Sequence, residues 1–146
     1  MAMVSEIANY FLSLADEEAG DLILNLKLQK LVYYAQGFHL TLFDYPLFEE
    51  PIEAWSHGPV IPELYRAFKK FGSGAIPQPE DFDLAIIDQR SRDLLDEVYN
   101  VYGQYSAWKL RNMTHEAAPW LDSYREAPGS VIPHGAMKSY FKTLLQ

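Results

Sequence analysis

Apolar residues return at every third or fourth position along most of this chain, the spacing of one face of an α-helix. Val4, Ile7, Ala8, Phe11 and Leu14 keep that rhythm and predict a first helix over about residues 4–16, with Gly20 as its stop beyond Asp16-Glu17-Glu18. Asn25 is the expected N-cap of a second helix, whose stripe is Leu28, Leu31, Val32, Ala35, Phe38 and Leu42. Gly37 lies inside that helix, where it costs roughly 1 kcal/mol against Ala. A close crossing of another backbone is the expected compensation.

The pattern changes after Asp44-Tyr45-Pro46, which ends the helix. Ile52 to Trp55 alternates apolar and polar side chains, predicting a short extended or β segment near residues 51–56 that Gly58-Pro59 breaks. Pro62 suits the first turn of a third helix with Leu64, Phe68 and Phe71 inward and Gly72 closing it. Residues 72–83, with two glycines and two prolines, read as an internal loop. A fourth helix is expected over about Arg90 to Tyr105, with Leu94, Val98, Val101 and Tyr105 in register and an acidic start at Asp88, Asp93, Asp96 and Glu97. Ser106 looks like the N-cap of a fifth helix reaching His115. Ala118-Pro119-Trp120 reads as a bend and Pro128-Gly129 as a turn. A last helix follows over about Pro133 to Leu145, with Met137, Tyr140, Phe141 and Leu144 inward. The expected fold is mainly α: a compact single-domain bundle, residues 1–146, of about six helices.

Composition adds compartment and partner class. No apolar run approaches the roughly 18 residues of a membrane span. The N-terminal region carries acidic residues around its one hydrophobic piece, unlike a signal peptide. The chain has no cysteine, which removes disulfides, thiol catalysis and thiolate metal sites. The expected location is the cytoplasm, with no membrane partner. A net charge of −8 argues against non-specific nucleic-acid binding, which needs Lys and Arg to displace counterions. Arg66, Lys69 and Lys70 are the one local basic candidate.

Candidate chemistry is sparse. The histidines His39, His57, His115 and His134 show no spacing typical of zinc ligands, and no metal or other cofactor is expected. Ser56-His57 and Thr114-His115 place hydroxyl beside imidazole, but neighbours in sequence do not face each other on a helix. No nucleophile elbow or phosphate-cradling glycine loop is present. The alternative of a small His-dependent hydrolase or metal-binding enzyme therefore requires the fold to unite His57 and His115. Aromatic residues are the stronger signal: 10 Tyr, 8 Phe and 3 Trp exceed what a bland surface needs. Phe11, Phe38, Phe68 and Phe141 are assigned to the core, and one of Tyr33-Tyr34 is expected to leave the buried stripe. Trp55 and Trp120 sit beside turns, where they either plug the ends of the bundle or anchor a protein partner.

Several of these segments together resemble a known signature. They are Leu26-Lys-Leu-Gln-Lys-Leu-Val-Tyr-Tyr-Ala-Gln-Gly-Phe-His39, Pro46-Leu-Phe48, Ile52-Glu-Ala-Trp55, His57-Gly-Pro-Val60 and Pro62-Glu-Leu-Tyr65. Downstream come Tyr105-Ser-Ala-Trp-Lys-Leu110, Thr114-His-Glu-Ala-Ala-Pro-Trp120 and the terminal Tyr140-Phe141. In this order they are similar to the Panacea domain, the family of SocA-like antitoxins and phage-associated proteins. The resemblance implies a helical antitoxin without enzymatic activity, usually carried on prophages or mobile elements. It implies a toxin partner encoded by a neighbouring gene, neutralised by direct protein contact, and for one member delivery to the ClpXP protease. A homo-oligomer stays open. Tyr33, Trp55, His57, Tyr65, His115 and Trp120 are the residues expected at the partner surface.

Overall fold

The computed structural model describes residues 1–145 and is mainly helical. Its α-helices are α1 (Val4–Leu14), α2 (Asn25–Phe43), α3 (Pro62–Phe68), α4 (Gln89–Tyr102), α5 (Ala107–His115), α6 (Ala118–Glu126) and α7 (His134–Leu144). A two-stranded antiparallel hairpin, β1 (Glu53–Trp55) and β2 (Gly58–Val60), sits between α2 and α3.

The molecule is built around α2. Helices α1, α3, α4, α5 and α7 and strand β2 all pack on it. It is therefore buried nearly all round and has no single apolar stripe. This corrects two expectations. Tyr33 and Tyr34 are both buried, because α7 covers the side that a two-layer bundle would leave open. Leu42 is 49% exposed, because it lines an open hollow between α4 and α7 instead of the core. Gly37 does mark a close approach, but the group that fills its missing Cβ position is the Phe141 ring of α7, not a backbone.

A central helix still carries polar residues, and here they bind loop backbone. Gln36 donates from Nε2 to the Phe48 carbonyl (2.8 Å) and accepts the Leu47 amide (2.7 Å). His39 Nδ1 lies 2.7 Å from the Tyr45 carbonyl. The extended segment after α2 is thus stitched to its own helix, leaving few buried polar groups unpaired. Asn25 is the first helical residue, not the cap; Leu24 stands at the cap position with no side-chain bond. The Asn25 amide instead donates to the Tyr65 carbonyl at 3.2 Å and its oxygen accepts from Gln29. Gln29 in turn accepts the Ile61 amide at 2.9 Å, so one buried pair fixes the start of α3 against α2.

Other boundaries moved for local reasons. Asp88 caps α4 by accepting the Ser91 amide, and the inward face is Ser91, Leu95 and Val98; Val101 faces out. Ser106 caps α5 as expected, accepting the Lys109 amide. The bend at Ala118-Pro119-Trp120 is instead the first turn of α6, a position where proline's missing N–H costs nothing. Leu144 is exposed while Met137 and Phe141 are buried, so α7 has a narrower inner face than expected. Gly58-Pro59 does not end the extended segment but forms β2, paired Trp55 to Gly58 and Glu53 to Val60.

Candidate functional site

The hairpin is locked to the bundle from beneath by Lys30. This lysine of α2 is fully buried, and its Nζ donates to the Pro59 carbonyl at 3.1 Å. Burial pushes the amine down to about 7, and the charge of Arg111 works in the same direction. Gly58 rests directly over it. A Cβ there would stand 2.7 Å from Lys30 Cε and 2.9 Å from Thr114 Oγ1, and its φ of +109° lies in the region glycine favours. The sequence His57-Gly58-Pro59 is therefore the lid over a buried amine, with Thr114 of α5 as the third side of the joint.

Trp120 secures the other side of the hairpin. Its Nε1 donates to the Trp55 carbonyl at 2.7 Å, and its ring is stacked between His115 (4.0 Å, 4°) and Tyr124 (4.7 Å, 16°). Trp120 is only 5% exposed. The imidazole of His115 is half-buried, its Nε2 has no hydrogen-bond partner, and burial holds its pKa below the usual range, helped by Arg111, Lys30 and His57. Arg111 Nε also donates to His57 Nδ1 at 3.4 Å. The guanidinium thus meets the His57 imidazole, and its charge also acts on that of His115. Among the described residues, no group of three or more His, Asp or Glu could hold a metal ion.

Beside the hairpin a groove of about 540 Å³ opens between the start of α2, α3 and α5. Its walls are mostly apolar: Leu24, Leu26, Trp55, Val60, Tyr65 and Trp108, with Gln29, His57 and Lys69 at the polar positions. Trp55 is oriented twice, by Nε1 donation to Glu53 Oε1 (2.9 Å) and by an edge-on contact with Tyr65 at 5.2 Å. Trp108 is 59% exposed, and the Arg111 guanidinium lies 4.5 Å over its ring. Another hollow, of about 470 Å³, is walled by Met1, Met3, Glu49 and Glu50 and offers no aromatic anchor.

The expected surface residues divide accordingly. Trp55, His57 and Tyr65 converge on the groove. His115 and Trp120 lie behind the hairpin and support it. Tyr33 is 1% exposed, packed edge-on to Tyr34 and Phe141, and no partner can touch it in this conformation. Lys69, named from the sequence only as part of a basic triplet, also lines the groove, and Trp108 was not singled out at all. The signal for Trp108 was available: with Leu110 and Thr114 turned inward on α5, a residue two positions before Leu110 lies on the opposite side of the helix.

Comparison with known proteins bears on the same residues. The family model described as antitoxin SocA-like, Panacea domain, matches residues 28–121, which takes in Lys30, the hairpin, Thr114 and Trp120. Antitoxin SocA of Caulobacter vibrioides (strain NA1000 / CB15N) is 35% identical over 124 residues, covering 77% of this chain and 65% of that protein. The match thus spans less than two thirds of the relative's length. No solved structure gives a significant match. The chain belongs to the SocA-like antitoxin family defined by the Panacea domain.

Proposed function

We propose that this protein is an antitoxin that neutralises a toxin, the product of a neighbouring gene, by direct protein contact at the hairpin groove. The observation that carries the proposal is the convergence of the family's signature segments. Trp55, His57 and Tyr65 line one groove, while His115 and Trp120 hold the hairpin that forms its wall. Interfaces draw most of their energy from a few Trp, Tyr and Arg residues in such settings. The groove is lined by two tryptophans and a tyrosine, with Arg111 over the Trp108 ring.

Growth rescue tests this reading. The neighbouring gene product is expressed alone and together with this chain. Arrest relieved by the wild-type chain and not by Trp108→Ala or Tyr65→Ala is the expected result. A neighbour that does not arrest growth, or does not co-purify with the chain, overturns it. Neutralisation then proceeds by occlusion of the toxin or by its delivery to a ClpXP-type protease. A shortened toxin half-life that depends on ClpX marks delivery; an unchanged half-life marks occlusion. The same reading predicts a gene pair on a prophage or other mobile element and action in the cytoplasm.

A further inference from the structure

The groove also carries information about the chemistry of what it binds. The chain has a net charge of −8, yet residues 62–72 and 106–112 hold Arg66, Lys69, Lys70, Lys109 and Arg111 against the single carboxylate Glu63. Lys69 lines the groove, and Arg111 is drawn over Trp108 at its rim. Glu53, a nearby acidic side chain on β1, accepts the Trp55 indole N–H through Oε1 and is the one carboxylate set against these cations on the hairpin strands. A cationic rim around an apolar floor on an otherwise acidic molecule selects its ligand by charge and holds it by aromatic contact.

Backbone pairing is closed off at this hairpin. The outer edge of β1 is already used: Ala54 donates to the Ser130 carbonyl (2.8 Å) and accepts the Gly129 amide (2.7 Å). On β2, the central Pro59 has no N–H to give, and its carbonyl is taken by Lys30. A strand cannot be added to either side, so recognition falls to side chains. The aromatic residues are also poorly arranged for stacking nucleobases, which need free ring faces. Trp55 and Tyr65 meet edge to face, and Arg111 covers one face of Trp108.

We infer that the groove binds an acidic segment of a protein partner, with carboxylates meeting Lys69 and Arg111 and one bulky apolar side chain seated among Trp55, Tyr65 and Trp108. This rests on the proposed function only in taking the partner to be a protein. The aromatic walls are held in place before binding, which reduces the ordering cost of association.

Panning a phage-displayed random peptide library on the full-length protein tests the inference without knowledge of the toxin. The enriched sequences are expected to carry two or more Asp or Glu around an aromatic or large aliphatic residue. Synthetic peptides made from them should bind about tenfold more weakly to Lys69→Glu and to Trp108→Ala, as expected where a charge pair or anchor is removed from an interface. Arg125→Glu, on α6, should bind like the wild type. Circular dichroism and thermal melting establish that each variant is folded, and Lys69, exposed at the end of α3, can be reversed without touching the core. Enrichment of neutral or basic sequences, no enrichment, or binding unaffected by Lys69→Glu overturns the inference. So does saturable binding of single-stranded oligothymidine that Lys69→Glu abolishes, which would assign the rim to nucleic acid. Growth rescue remains a separate readout. Rescue by a Lys69→Glu, Trp108→Ala double variant sinks the groove chemistry while leaving the antitoxin reading intact; loss of rescue by the wild type does the reverse.

Discussion

Lys30 is the residue on which the candidate site depends. Its fully buried amine is held to the Pro59 carbonyl and pushed down to about 7 by burial. In the unfolded chain a lysine titrates near 10.4. Between these values the unfolded chain holds a proton that the folded chain has lost, so stability rises with pH through this window, by at most about 1.4 kcal/mol per unit. Below the lower limit the full cost of the buried charge is present. The buried Tyr33 and Tyr34, whose pKa values burial raises, act oppositely and lower stability once the unfolded tyrosines ionise near pH 10. Urea unfolding between pH 7 and 9 should show the rise in the wild type and a flatter profile in Lys30→Met; an identical slope in both would refute the assignment. Gly58→Ala forces a side chain into φ +109° and against Lys30, and should cost about 1–3 kcal/mol in the same assay. The motif His57-Gly58-Pro59 was legible in the sequence as a turn. Its partner lysine was not, because Lys30 sits in a helix among residues whose pattern gives no sign that one charge is enclosed.

At the scale of elements, the contact of α2 with α7 is set by Gly37 and Phe141. Replacing Gly37 by Ala gains about 1 kcal/mol of helix propensity. The added methyl overlaps the Phe141 ring, and overpacking of this kind typically costs about 1–3 kcal/mol, so net destabilisation is expected. Thermal melting should show Gly37→Ala below the wild type, with part of the loss recovered in combination with Phe141→Leu. Helix existence followed from apolar spacing for α1 to α5 and for α7. At α2 the period revealed the helix but not its buried faces, because packing on every side removed the polar face that would have marked them. The one helix missed was α6, whose cap Ala117 has no side-chain acceptor and whose Pro119 signals either a bend or a helix start. Ser106 is a clear cap, and Ser106→Ala should cost about 1 kcal/mol and loosen the helix that presents Trp108.

For the whole molecule, the outcome that matters is the separation of stability from recognition. Trp108 is exposed and packs mainly against Arg111, so Trp108→Ala should change unfolding free energy by no more than about 0.5 kcal/mol, as for other surface positions, while removing neutralisation. Trp120→Ala should lose both, since its ring and its bond to Trp55 hold the hairpin and truncating a buried tryptophan costs about 3–5 kcal/mol. Soluble expression, unfolding curves and growth rescue distinguish the two variants. A partner held by the cationic rim should also dissociate more readily in high salt, because charges near the surface are screened within about 8–10 Å at moderate ionic strength.

The amino-acid sequence by itself determined the helical class, most helix limits, the cap at Ser106, the helix start at Pro62 and the family to which the chain is similar. Each is written in local spacing or in a contiguous motif. Tertiary structure decided which aromatic residues remain for a partner. Tyr33 and Trp120 went inside and Trp108 stayed outside because burial depends on what covers a residue, and the covering helices come from distant parts of the chain. The meeting of Lys69 with Trp108 on one groove, and of Arg111 with Trp108 beside it, had the same origin: residues distant in sequence meet only when the helices that carry them pack together.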